Sequence, residues 1–242
     1  IVAELTLLEE FLPVGSKDIT LSNTEDKDWI NNWKQFFKPF RLYDNIVIKP
    51  TWEELEETKD GDMVVEIDPG IAFGTGSHET TKLCIGQLKK YLKTGDTVFD
   101  VGSGSGILSI ISVMLGAGLV HGMDIDEVAV RASIENREVN HMTEEQLVLT
   151  CGNLLAGDEE TNQMALDVNG GNKYDIVVAN ILADVIIPLS GVVKPFLKED
   201  GYFITSGIID MKEEAVKEAL LLNGFEIIDV VHMNDWVSII AK

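Results

Sequence analysis

The 242-residue sequence predicts an α/β fold: a doubly wound, Rossmann-like sheet of seven strands with a short amino-terminal extension. Two observations support this fold. Apolar strand-like segments alternate with segments of helical spacing from residue 97 onward. The stretch 97–108, TVFDVGSGSGIL, has the pattern of a strand, a glycine loop and a helix. Such a loop turns sharply and brings free backbone amides close to a ligand.

The glycine spacing helps to choose the ligand. Gly102, Gly104 and Gly106 form G-x-G-x-G after Asp100, whereas a dinucleotide fingerprint has G-x-G-x-x-G. The pattern is closer to an S-adenosylmethionine (SAM) loop, and a carboxylate at Asp100 would complement the positive charges of SAM. Asp124 closes the next predicted strand about 20 residues later, where nucleotide folds place the acid that accepts hydrogen bonds from ribose hydroxyls.

The remaining elements follow in chain order after residue 60. Strands are predicted at 63–67, 97–100, 119–124, 147–150, 175–179, 202–205, 225–231 and 236–241. Helices are predicted from 77 or 78 to 93, from 107, and at 126–140, 185–197 and 212–222. Five parallel strands closed by an antiparallel pair are the layout of SAM-dependent methyltransferases. The polar segment 158–173 is predicted to be a surface excursion.

The first 60 residues are predicted to lie outside this sheet. They divide into the end of an amino-terminal unit, 1–27, with a possible strand at 1–8, and a linker, 28–60, before the main domain at 61–242. Inside the linker we expect a helix around the aromatic stripe at Trp29, a strand at 45–49 and an acidic helical turn at 53–57.

The segment 68–81 is the second candidate ligand loop. Phe73, Gly74 and Thr75 lie in a glycine-rich stretch whose exposed amides could fold over a cofactor. His78 stands at the start of the following helix, where a capping or hydrogen-bonding role is favoured over a catalytic one.

Composition limits the partners. Nineteen basic and 41 acidic residues give a formal net charge of −22. This charge disfavours binding to nucleic acid and to anionic membranes and would attract a basic protein. The alternative is that the acidic residues serve solubility alone. No apolar run approaches the roughly 20 residues of a membrane span and no signal peptide is evident, so a cytoplasmic location is expected. Cys84 and Cys151 fit neither a metal spacing nor a disulfide framework, so no metal is expected.

Four segments together resemble the PrmA family, the methyltransferases of large-subunit ribosomal protein L11. They are the loop 68–81, the motif 100–108, the acidic triplet 124–126 and the strand end 178–182 with the sequence VANIL. The resemblance covers residues 28 to 242. It implies SAM as cofactor, held by Thr81, Gly102, Asp124 and Asn180, and Thr81 is assigned by the resemblance alone. The family's amino-terminal recognition domain is expected to be mostly absent before Trp29.

The resemblance also implies methyl transfer to lysine ε-amino and α-amino groups of a basic ribosomal protein. Separately from the resemblance, a monomeric state is expected. Asn180 is the predicted catalytic residue, because a side-chain oxygen at a strand end can accept a hydrogen bond from the attacking amine. The alternative for Asn180 is a turn residue that ends a strand. The alternatives for the chain are an NAD-dependent oxidoreductase and a SAM-binding module without catalysis.

Overall fold

The computed structural model describes Gly15 and residues 37–55, 57–68 and 74–242. The predicted strand at 1–8 and most of the predicted helix around Trp29 lie outside these residues, and the domain boundaries at 27 and 60 stay predictions. Residues 39–242 form one compact unit. Within the described parts of the chain, no helix combines the length and apolar character needed to cross a bilayer.

The elements of this unit are numbered in chain order. The strands are β1 Phe40–Leu42, β2 Ile46–Pro50, β3 Met63–Ile67, β4 Thr97–Val101, β5 Leu119–Asp124, β6 Leu147–Cys151, β7 Tyr174–Asn180, β8 Leu197–Ile209, β9 Ile227–Met233 and β10 Trp236–Ala241. The helices are α1 Glu79–Tyr91, α2 Ile107–Met114, α3 Glu127–Val139, α4 Glu159–Asp167, α5 Ala183–Ser190 and α6 Glu213–Leu222.

The main sheet confirms the predicted seven-stranded layout. Its order is β6-β5-β4-β7-β8-β10-β9. The first five strands in this order run parallel to one another, and β10 is antiparallel to both of its neighbours, β8 and β9. The strand order reverses between β4 and β7, and parallel sheets bind ligands beyond the carboxyl ends of the strands at such a switch point. The consecutive buried residues 176–179 of β7 explain its central place, because helices cover both faces of a parallel sheet.

A second, three-stranded sheet precedes the main one. β2 pairs antiparallel with β1 and parallel with β3, which confirms the strands predicted at 45–49 and 63–67, whereas the three-residue β1 was too short to predict. The helical turn predicted at 53–57 is wrong, since residues 53–55 are not helical. Glu53 and Glu57 would place like charges one helical turn apart, which disfavours a helix there.

Two asparagines of α3 join the small sheet to the main domain. Asn140 donates to the carbonyl of Glu66 (2.7 Å) and accepts from its amide (2.9 Å). Asn136 makes the same pair of bonds with Asp68 and also donates to the Ser105 carbonyl (2.8 Å). Asn136 therefore connects the end of β3 to the glycine loop after β4.

Between β6 and β8, the segment 158–173 lies mostly at the surface as predicted but also contains an unpredicted helix, and the predicted length of the helix at 185–197 is wrong. The segment 158–173 contains α4, which Asp158 caps by accepting from the Thr161 amide (2.7 Å) and which buries Ala165. The helix predicted at 185–197 is α5, which ends at Ser190 and is followed by a 3₁₀ turn at Lys194–Phe196. Pro195 has no backbone N–H for a continuing helix, so the chain turns there.

Candidate active site

A cavity of about 560 Å³ lies at the carboxyl ends of the central parallel strands. Gly102, Asp124 and Asn180, which follow or end β4, β5 and β7, line it together with Thr81 of α1. The structure thus brings together the four residues that the resemblance assigned to the cofactor. Its volume is within the range of small-molecule sites, roughly 300–1,000 Å³.

The glycine loop after β4 forms one wall of this cavity. The amides of Gly102 and Ser103 both donate to the Met123 carbonyl, at 2.8 and 3.1 Å, which ties the loop to β5. Gly102 has φ +80°, and a Cβ there would lie 2.5 Å from Cγ2 of Ile181. Only glycine fits this position without moving the chain beside Asn180.

The other two glycines of the motif have different surroundings. Gly104 lines the cavity, as predicted for a cofactor-binding residue. Gly106 does not line it: it precedes α2, and a Cβ there would lie 3.1 Å from the Cβ of Ser133 in α3. Its role is close packing of α2 against α3, which corrects the predicted cofactor contact.

Asp124 is half-buried and bonds to the loop directly. Its Oδ2 accepts from the Gly104 amide (2.8 Å), and its Oδ1 accepts from the Asp126 amide (3.0 Å). Each carboxylate oxygen has further acceptor capacity, so the side chain can also receive hydroxyl donors from a ligand in the cavity.

Asp100 lies behind the loop and is not part of the cavity wall. Its side chain is buried, and Oδ2 accepts from the Ser109 hydroxyl (2.6 Å). Burial raises the pKa of Asp100 to about 7, and the nearby Asp124 charge adds to the rise, against the hydrogen bond from Ser109. The participation of Asp100 in cofactor binding stays a prediction, and the structure places its carboxyl group in the interior behind the loop.

Asn180 ends β7 with its side chain against α1. Its Nδ2 donates to Oγ1 of the buried Thr81 (3.3 Å). Its Oδ1 is buried and has no hydrogen-bond partner within the described chain. A buried acceptor without a donor costs about 1–3 kcal/mol, so this atom is prepared to accept a hydrogen bond from a molecule in the cavity.

Within the segment 68–81, the structure describes residue 68 and residues 74–81. The Gly74 carbonyl accepts from the Ser105 hydroxyl (2.7 Å), and Gly74 lines the cavity. The Thr75 hydroxyl lies 2.9 Å from that of Ser77, outside the cavity lining, and its contact with the cofactor stays a prediction. Phe73 lies outside the described residues.

His78 confirms the capping interpretation. Its Nδ1 accepts from the Thr80 amide (3.3 Å) at the start of α1. The imidazole also lines the cavity and packs edge-on against Trp236, with ring centroids 4.9 Å apart.

The sequence analysis missed several apolar lining residues. Ile125, Leu155 and Leu182 are exposed side chains that line the cavity, and Trp236 reaches it from the start of β10. Ile125 could have been predicted from the sequence as a lining residue, because it directly follows Asp124. Trp236 could not, because only the strand order brings β10 beside β8.

The donor set of the cavity fits SAM. The Asp124 carboxylate can accept from ribose hydroxyls, the loop lines the cavity at Gly102 and Gly104 where no side chain keeps a ligand away, and exposed apolar side chains such as Ile125 can cover an adenine ring. No Lys or Arg lines the cavity in the described chain, so the pyrophosphate of NAD would find no positive side chain there. Within the same residues, no cluster of His, Cys, Asp or Glu has the arrangement of a metal site.

The seven-stranded fold and this cavity define a SAM-dependent methyltransferase. The chain belongs to the ribosomal protein L11 methyltransferase (PrmA) family, whose model matches residues 2–242. Ribosomal protein L11 methyltransferase of Lachnoclostridium phytofermentans is 56% identical over 97% of this chain and 73% of its own length. The enzyme of the same name from Agathobacter rectalis is 51% identical over 97% of this chain and 72% of its own.

Solved structures agree with this family. A crystal structure of ribosomal protein L11 methylase from Lactobacillus delbrueckii subsp. bulgaricus is 30% identical, with a TM-score of 0.74, over 85% of this chain and 98% of that chain. Precorrin-6y C5,15-methyltransferase from Geobacter metallireducens shares the fold with 16% identity and a TM-score of 0.53, over 68% of this chain and 89% of that chain.

Proposed function

We propose that this chain transfers methyl groups from SAM to lysine ε-amino and α-amino groups of ribosomal protein L11. The observation that carries the proposal is that Asn180 lines the cavity while its buried Oδ1 has no hydrogen-bond partner within the described chain. An amine that enters the cavity can donate one N–H to this oxygen, which directs its lone pair toward the methyl group. The acidic chain, with a net charge of −22, would attract a basic ribosomal protein. A cytoplasmic location and a monomeric state stay predictions.

When bound, SAM supplies a methyl group that its sulfonium already activates. The chain therefore has to position the amine, and correct orientation can contribute up to about 7–11 kcal/mol. Asn180 receives the amine, and Thr81 holds the Asn180 amide group in place through the 3.3 Å contact. The apolar side chains around the cavity exclude water from the reacting atoms.

Removal of the proton from a lysine ammonium does not require a dedicated base. The lining carboxylates Asp124 and Asp126 follow β5, which β4 separates from β7 and Asn180. The His78 Nδ1 is occupied as a helix cap. A poorly solvated cavity itself disfavours the charged ammonium and lowers the pKa of the incoming amine.

The test compares Asn180→Ala with Asn172→Ala. Asn172 lies in an exposed turn just before β7, at the opposite end of the strand that Asn180 ends. Transfer of radiolabelled methyl groups to purified L11 is measured beside SAM calorimetry. We expect Asn180→Ala to lower turnover by at least about a hundredfold and to weaken SAM binding less than about tenfold, because alignment matters chiefly in the transition state.

Three results would contradict the proposal. Near-normal turnover in Asn180→Ala would leave Asn180 with only a structural role. SAM binding by the unmodified chain without methyl transfer to L11 would favour a binding module. Thermal stabilisation by NAD and not by SAM would instead favour the oxidoreductase alternative.

A further inference from the structure

An exposed apolar patch borders the cavity on the Asn180 side. It consists of Leu182, Val185, Ile209 and Met211, and we refer to it as the mouth patch. Leu182 is 68% exposed and Met211 is 85% exposed, which is unusual for large apolar side chains. Grouped apolar side chains on a surface indicate an interaction site, whereas single ones do not.

Three observations place these four residues around the cavity. Leu182 and Val185 line the cavity itself. The Lys212 ammonium bonds to the Asp184 carboxylate (2.9 Å), which brings the turn that contains Met211 against the start of α5. Ile209 lies opposite Trp236 in the β8–β10 pairing, and Trp236 also lines the cavity. The patch is therefore continuous with the cavity wall.

The edge of the mouth patch is acidic. Asp184, Asp210 and Asp235 are exposed, and the Asp210 amide donates to the Asp235 carbonyl (2.9 Å), so the latter two acids lie in neighbouring turns. Lys212 pairs with Asp184, so these two charges offset each other, and the net negative charge of the edge comes from Asp210 and Asp235. An apolar centre with an acidic edge fits a polypeptide that presents apolar side chains beside basic ones.

We propose that the mouth patch docks the segment of the substrate protein that carries the target amine. This inference rests on the proposed function. Apolar side chains of the segment would contact Leu182 and Met211, and a basic side chain would lie beside Asp210 and Asp235. A segment held there directs its amine into the adjacent cavity. A second copy of this chain fits less well, because its charge of −22 would be repelled by the acidic edge.

The test uses Met211→Ser with Leu222→Ser as its matched control. Leu222 is also apolar and 80% exposed, but it lies at the far end of the ten-residue α6, about 15 Å along the helix from the cavity edge. Both substitutions remove exposed apolar surface and leave the core untouched. Steady-state methyl transfer to L11, L11 binding in the presence of the demethylated cofactor, SAM calorimetry and sedimentation are measured for each variant.

We expect Met211→Ser to raise the KM and Kd for L11 at least about fivefold with an unchanged Kd for SAM, and Leu222→Ser to change each by less than about twofold. An unchanged KM and Kd for L11 in Met211→Ser, while the unmodified chain methylates L11, would overturn the docking inference alone. A smaller sedimenting species in Met211→Ser would show that the patch joins two copies, and this would also overturn it. An unmodified chain that neither binds nor methylates L11 would overturn the proposed function as well.

Discussion

Gly102→Ala tests whether the approach of the glycine loop to Ile181 shapes the cavity. At this position a Cβ would lie 2.5 Å from Cγ2 of Ile181, and φ is +80°. Gly95 provides a matched control, because its φ is +90° and nothing lies within 4 Å of a Cβ added there. The two substitutions share the cost of a left-handed backbone and differ in the collision with Ile181.

The structure sets the size of the expected difference in thermal stability between Gly102→Ala and Gly95→Ala. The left-handed backbone costs an alanine about 1–2 kcal/mol, which applies to both variants. The collision adds about 1–3 kcal/mol to Gly102→Ala, as overpacking does elsewhere. Since 1 kcal/mol shifts Tm by roughly 2–4 °C in a domain of this size, Gly102→Ala should melt roughly 2–12 °C below Gly95→Ala.

Calorimetric titration with SAM and thermal unfolding are the two assays. Because the strain falls on Gly102 and on the neighbour of Asn180, we expect the Kd for SAM to rise at least about tenfold in Gly102→Ala and to stay unchanged in Gly95→Ala. In an Ile181→Ala background, the excess loss of stability should disappear. Equal Tm values and equal Kd values for the two glycine variants would refute the reasoning.

Three further predictions concern the surroundings of the loop. Asn136→Ala removes one buried hydrogen bond to Ser105 and two partly buried ones to Asp68 and should cost about 2–4 kcal/mol in denaturant unfolding, whereas a loss below about 1 kcal/mol would mean that water replaces them. Ser105→Ala frees the Gly74 carbonyl and should weaken SAM binding in calorimetry by about two- to tenfold, and an unaltered Kd would count against this contact. Burial raises the pKa of Asp100 to about 7, so the folded state retains a proton that the unfolded state loses above pH 4, and stability declines from about pH 4 to pH 7. Asp100→Asn should lack that decline. As the pH rises, the unfolding free energy of this variant should therefore increase relative to that of the unmodified chain by up to about 1.4 kcal/mol per pH unit. A difference between the two unfolding free energies that stays constant from about pH 5 to about pH 7.5 would contradict the prediction.

Local patterns explain why much of the site could be predicted. The strand, glycine loop and helix at 97–108 are contiguous in sequence, and Asp124 ends the next strand, so both the fold and the acid that bonds to the loop follow from short stretches. Asn180 was predicted from its place at a strand end, and its unpaired oxygen gives that place a chemical meaning.

The missed features depend on the tertiary structure. Asp100 lies behind the loop because of packing with Ser109, which no spacing specifies. The helix α4 was hidden because only one side of it contacts the core, so its composition is mostly polar. Trp236 reaches the cavity only through the pairing of β8 with β10, and Met211 lies in the turn that follows β8.

Ser103 and Asn180 lower the stability of the ligand-free protein at the site where the ligand would bind. Ser103 Oγ and Asn180 Oδ1 are buried without partners, and both residues line the cavity beyond the neighbouring strands β4 and β7. Each unpaired atom costs the ligand-free protein about 1–3 kcal/mol. A ligand that binds the folded chain at 100 times its Kd contributes about 2.7 kcal/mol, which is of the same size. A molecule bound in the cavity can therefore offset the cost of these two unpaired atoms. The same two side chains destabilise the ligand-free protein and favour ligands that form hydrogen bonds with them.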